Sequence, residues 1–152
     1  MKTLANPRCE HEIKERLQKL RPETPRRWGK MSASQMVCHL ADGFRMYMGL
    51  RQVSDESNPF MRTTVKWVAL WTPIPWPHGF KTVPELDQAL AGTAPVDFAR
   101  DIDELLRLMD RMTARPKDFK WQTHPHFGNL SDREWMRLGY LHANHHLRQF
   151  GF

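Results

Sequence analysis

Cysteine is almost missing from this chain. Cys9 and Cys38 make no Cys-x-x-Cys pair and no zinc-finger spacing, so neither a disulfide framework nor a thiolate metal site organises the fold, and a reducing cytoplasm is the expected setting. Long hydrophobic runs are missing too. The nearest, TTVKWVALWTPIPW, is broken by Lys66 and two prolines, far from the roughly 20 apolar residues of a membrane span. It fits a core helix followed by a loop better than an interfacial helix. The opening stretch MKTLANPRCEHEIKERLQKL has no apolar core of the secretory type. A membrane is therefore not expected as a partner. The chain also has no GxSxG elbow, no phosphate-binding loop and no dinucleotide glycine fingerprint. Cys38 precedes His39 directly, and neighbours on a helix project about 100° apart, which excludes a Cys–His dyad.

Charge of one sign is present in excess but not in blocks. The net charge is +6, yet the basic residues are scattered and many stand one helical turn from an acid. With no recognition-helix signature and no aromatic RNA-binding motif, nucleic acid is not expected as a partner. Strand-like alternation is lacking as well. What remains is 152 residues, 40% of them apolar, enough for one domain over residues 1–152 with one core. The six Trp and nine Met serve as large, adaptable core fillers.

Five helical segments are predicted. Asn6-Pro7 opens the first, whose apolar face carries Cys9, Ile13, Leu17 and Leu20 before Pro22 ends it. Ser32 and Gln35 have capping-box spacing at the start of the second, which runs to about Leu50. Asn58-Pro59 opens a third that stops before Pro73. A long irregular stretch with five prolines follows, and loops of that length usually cover something. The fourth helix carries a stripe of Phe98, Ile102, Leu105, Met109 and Met112. The fifth starts at Ser131, capped reciprocally by Glu134. The pattern is that of an all-α bundle.

Three of the eight histidines crowd into YLHANHHLRQFGF at the end of the chain. On a helix, residues four apart lie about 40° from each other, so His142 and His146 share a face. Trp135, Leu138 and Gln149 share it too and mark it as the core side, with Arg137, Tyr140 and Leu147 turned away. His145 falls at the flank, open to being a ligand, a supporting residue or neither. In the second helix His39 points inward with Gln35, Met36, Gly43, Met46 and Leu50, while Asp42 sits at the edge of that stripe. Gly43 is expected to leave space beside His39. Burying three imidazoles without partners costs free energy, and one divalent ion accounts for all three. HxxxH spacing offers two ring nitrogens to a point, and a third from a facing helix completes a facial triad with open positions. His11 reads as solvated, His78 as loosely placed in the proline-rich loop, and His124 and His126 as exposed in a turn before the last helix.

Three stretches, WGKMSASQMVCHLAD, HPHFGNLSDREWMRLGYLHANHHLRQFG and more weakly FKTVPEL, resemble the DinB/YfiT-like superfamily of metalloenzymes. The resemblance runs from Trp28 almost to the end and is only general between Leu50 and Phe80. It implies a four-helix bundle with a short additional N-terminal or loop helix and a metal held by three histidines, which fall on His39, His142 and His146. It also implies metal-dependent transferases or isomerases that use low-molecular-weight thiols, or hydrolases. The resulting expectation is a transferase or hydrolase acting on a small molecule with zinc or nickel, and with a thiol if it transfers. In that expectation Asp42 or Gln149 orients a ligand histidine, Met46, Trp135 and the proline-rich loop form apolar walls, and Arg148 holds an anionic thiol. One alternative is a helical bundle that binds a metal or small ligand without turnover. Another is a structural metal closed by Asp42, His145 or His126. Exposed aromatic residues on so small a bundle are compatible with a homodimer.

Overall fold

Most helices begin where the sequence supplies a cap. The computed structural model describes residues 1–116 and 119–152. Helix α1 (Pro7–Lys19) starts with the Arg8 N–H donating to Asn6 Oδ1 at 3.0 Å. It buries Cys9, Ile13 and Leu17 and ends at Leu20, before Pro22. Helix α2 (Ala33–Tyr47) carries the expected capping box, with the Ser32 N–H donating to Gln35 Oε1 at 2.9 Å and the Gln35 N–H to Ser32 Oγ at 3.2 Å. Each cap satisfies amide donors that have no partner within the helix, stabilising it by about 1 kcal/mol.

The third segment departs from a plain helix. Asn58 Oδ1 accepts from the Met61 N–H, but the chain then widens into a π-helical turn over Met61–Val65 before tightening into α3 (Lys66–Trp71). Thr72 and Pro73 end it. The proline-rich stretch holds one 3-10 turn, Pro84–Leu86, pinned by the buried Val83 and Leu86. Helix α4 (Phe98–Ala114) buries Ile102, Leu105, Leu108, Met109 and Met112, with Phe98 half-buried. Helix α5 (Asp132–Gln149) opens on the Ser131–Glu134 capping box.

Helix α2 packs along α4 and α1 along α5, while contacts of α2 with α5 and of α1 with α4 close a four-membered ring. α3 lies outside it, against α5. Among the described residues there are five α-helices and no strand, so the fold is an all-α bundle. No helix among them is long and apolar enough to cross a membrane. Both cysteines are free and buried.

One expectation about α5 is corrected. Tyr140 and Leu147 are turned away from the histidine face, but both are buried. α5 touches α1, α2 and α3, so the side opposite the histidines faces α1 rather than water. Gly139 belongs to that packing, since a Cβ there would stand 2.9 Å from Leu4 Cδ1.

Candidate metal centre

α2 and α5 cross with their histidines facing one another. One ring nitrogen from each of His39, His142 and His146 lies within 4.8 Å of the other two. The ring centroids form a nearly equilateral triangle, at 5.1 Å for His39–His142, 4.8 Å for His39–His146 and 4.9 Å for His142–His146. His39 Nε2 stands 3.1 Å from His142 Nε2. Ligand nitrogens around one divalent ion stand roughly 3–3.4 Å apart, so this pair is already at ligand spacing.

The outer nitrogens explain why the inner ones of two rings keep their lone pairs. His39 Nδ1 lies 2.8 Å from the Leu86 carbonyl oxygen. A carbonyl only accepts, so Nδ1 carries the proton and Nε2 keeps its lone pair. His146 Nδ1 lies 2.8 Å from Gln149 Oε1. The Gln149 amide is oriented by its own Nε2, which donates to the Trp28 carbonyl at 2.9 Å. Nδ1 of His146 is thus also the donor. His142 Nδ1 stands 2.7 Å from the Tyr47 hydroxyl, which can donate or accept. In the ion-free network Tyr47 donates to His142 Nδ1, and His142 donates from Nε2 to His39. An ion held on Nε2 would place the proton on Nδ1, donating to Tyr47. Two rings are locked in the tautomer a metal would need, and the third has a hydroxyl partner that satisfies either form.

Electrostatics keep the set neutral. Burial lowers the pKa of His39 against the pull of the Leu86 carbonyl. His142 and His146 lie well below the usual range through burial and then repulsion from neighbouring imidazoles. Burial pushes the Tyr47 phenol up, so it stays protonated. Three neutral, oriented, partly desolvated imidazoles are the donor set a borderline-soft divalent ion takes, and the residues present fit one.

The other predicted residues fall in different places. Gln149 does hold a ring of the cluster, that of His146. Asp42 does not: its buried carboxylate accepts from Arg45, Arg51, Gln88 and both the N–H and hydroxyl of Thr93. It ties the 84–93 segment, and with it the Leu86 carbonyl, to α2. The space left by Gly43 is used by His142 rather than His39, since a Cβ there would stand 3.2 Å from His142 Cε1. His145 is outside the nitrogen cluster. Its ring lies among His146, Trp76 and Trp28, and burial lowers its pKa to about 4. Tyr47 was not anticipated, although it continues the 39, 43, 47 spacing along one face of α2. The Leu86 and Trp28 carbonyls had no signal, because a backbone oxygen leaves no residue type to read.

The three histidines open onto a cavity of about 950 Å³. Its walls include Val68, Ile74, Trp76, Phe80, Met46 and Tyr47. The proline-rich stretch covers it as expected, with His78 stacked on Trp28 at 4.2 Å and the Trp76 indole N–H donating to the Ala69 carbonyl. Trp135 is not part of this wall. It is fully buried one layer behind, its ring 4.9 Å from Tyr47, because the larger ring of α5 fills the core below the site. Arg148 is exposed on the surface, and the cations among the lining residues are Lys30 and Lys81.

Residues 8–151 match the family described as "Protein of unknown function (DUF1569)". The chain belongs to that family. No curated protein and no solved structure matches it. The DUF1569 match spans all three histidines, together with Tyr47, Leu86 and Gln149, and leaves out only the first seven residues and the last.

Proposed function

We propose that this chain is a metal-dependent enzyme of the DinB/YfiT-like kind, holding a divalent ion on His39, His142 and His146 and acting on a small molecule. The observation that carries the reading is the convergence of three neutral imidazoles, each held from behind, at the floor of a large and mostly apolar cavity. Zinc or nickel suits the donor set. Such an ion supplies Lewis acidity, which makes a water or a thiol nucleophilic near neutral pH. The protein's own part is to fix the ligand rings through Leu86, Tyr47 and Gln149, to exclude bulk water with the 74–80 loop, and to offer apolar walls to the substrate. Reaction by thiol-dependent transfer or by hydrolysis both fit. Lys30 and Lys81, rather than Arg148, are placed to meet the acidic group of a low-molecular-weight thiol.

The structural-metal alternative loses support from the surroundings. A closed site needs a fourth protein ligand, yet Asp42 is consumed by its own partners, and the only ligand cluster among the described residues is the three-histidine one. Elemental analysis of the purified chain should find a stoichiometric divalent metal that is lost in His39→Ala and His142→Ala. A metal-free wild type whose stability ignores chelators would sink the proposal. A panel of thiols with electrophilic acceptors, and of esters and amides, should give turnover only with metal present. Metal binding without turnover on any of them would favour a binding protein instead.

A further inference from the structure

His124 belongs to a histidine-rich turn expected to be exposed, but it is buried, at 8% exposure. The turn closes on itself through paired backbone hydrogen bonds between His124 and Gly128, at 2.9 and 3.0 Å. Inside it, the backbone N–H groups of His126 and Phe127 both donate to His124 Nδ1, each at 3.1 Å. A nitrogen that accepts two amide protons cannot carry one, so the proton of the neutral ring must sit on Nε2. Phe127 stacks on the imidazole at 4.6 Å, and Trp135 lies 5.7 Å from it at a tilt. These contacts hold the ring's direction. Burial lowers its pKa to about 3, so it neither charges nor acts as a base near neutral pH.

Nothing among the described residues accepts from Nε2–H, and this nitrogen is not one of the sealed buried atoms. The ring lines the same large cavity as His142, His146 and the apolar loop residues, at its boundary with a smaller groove along residues 51–55. The donor therefore opens on the cavity, and a ligand that displaces water from it must accept its proton or leave it unpaired at a cost in free energy. We infer that His124 is a fixed, neutral hydrogen-bond donor for the cavity's ligand, and that this ligand is an apolar molecule carrying a carbonyl-type oxygen. The inference rests on the reading of the cavity as a ligand site, and it does not require the metal. Mostly hydrophobic walls with a few placed polar groups are what such a ligand needs. A site built around one neutral donor discriminates strongly against an analogue without the acceptor, because the donor is then left unpaired.

His124→Asn separates the two nitrogens of the ring. The Asn side-chain oxygen takes the place of Nδ1 and keeps the amide hydrogen bonds of the turn, while the donor at Nε2 is lost. Benzophenone and its hydrocarbon isostere diphenylethylene serve as probes, titrated by calorimetry against wild type and variant. Benzophenone should bind His124→Asn about ten-fold more weakly than wild type, with diphenylethylene unchanged, and metal content should be the same in both proteins. Nitrogen NMR of the wild-type histidine rings should show one pure Nε2–H tautomer that shifts with benzophenone and not with diphenylethylene. An Nδ1–H tautomer, or equal effects of the variant on both probes, overturns the assignment. If neither probe binds the wild type, the reading of the cavity fails and takes this inference with it. Loss of the metal with retained probe discrimination would instead break only the metal reading.

Discussion

At the scale of single residues, the proposed centre depends on atoms outside the three-histidine cluster. Tyr47 gives His142 a partner in either tautomer, so Tyr47→Phe leaves the binding form with an unpaired Nδ1–H. Supporting groups of this kind are worth about 10–100-fold in metal affinity. A chelator-competition titration of Tyr47→Phe should read a loss in that range, and the metal-free protein, which loses the same buried hydrogen bond, should melt a few degrees lower. Gly43 tests fit rather than hydrogen bonding. A methyl at 3.2 Å from His142 Cε1 and 3.5 Å from Nδ1 must push the ring by a few tenths of an ångström. Gly43→Ala should therefore weaken metal binding several-fold, even though alanine favours the helix by about 1 kcal/mol. Unchanged affinity would mean the triad tolerates more play than its packing suggests.

At the scale of elements, the segment from Pro84 to Thr93 acts as a brace. It has little regular structure, yet its Leu86 carbonyl sets the tautomer of His39, and Asp42 holds it to α2 through Gln88 and Thr93. Asp42 also balances Arg45 and Arg51, at 3.1 and 3.2 Å. Removing one partner of a buried ionic network costs about 3–5 kcal/mol because the remaining groups lose compensation. The two arginines reach solvent, which places Asp42→Ala toward the lower end. Urea unfolding should show that loss. Metal affinity should fall with it, since the carbonyl behind His39 is no longer held. A variant that loses stability but keeps full affinity would disconnect the brace from the site.

At the scale of the whole molecule, the buried histidines make stability depend on acid. Burial lowers the pKa of His39, His142 and His146 from the ordinary 6.5, that of His145 to about 4 and that of His124 to about 3. The unfolded chain takes up protons on these rings near pH 6.5, while the folded chain does not. Below that pH the unfolded state binds more protons. Stability is thus fully present above it and is lost as pH falls toward 4 and then 3, at up to about 1.4 kcal/mol per pH unit for each ring. Metal-free protein should melt at least ten degrees lower at about pH 5 than at about pH 7.5. A flat profile across that window would show that the rings are not held neutral.

Much of this molecule is written in local patterns. Capping boxes at Ser32 and Ser131, the stripe of α4 and the HxxxH pair on α5 all depend on residues within a turn or two, so the chain alone sets where those helices begin and which side of α5 carries His142 and His146. Other features have no local cause. Which sides of α5 are buried depends on how many helices surround it, which is why Tyr140 and Leu147 end in the core. That His142 occupies the space at Gly43, that Asp42 serves a loop instead of a ligand, and that Trp135 lies behind the wall follow from how α2 and α5 cross. The carbonyls of Leu86 and Trp28 orient His39 and Gln149 only because loops far away in the chain are folded against them. Helix periodicity determined the candidate ligands by itself. Their free nitrogens and their cavity were decided by tertiary packing, because burial and hydrogen bonding between distant segments select each ring's tautomer.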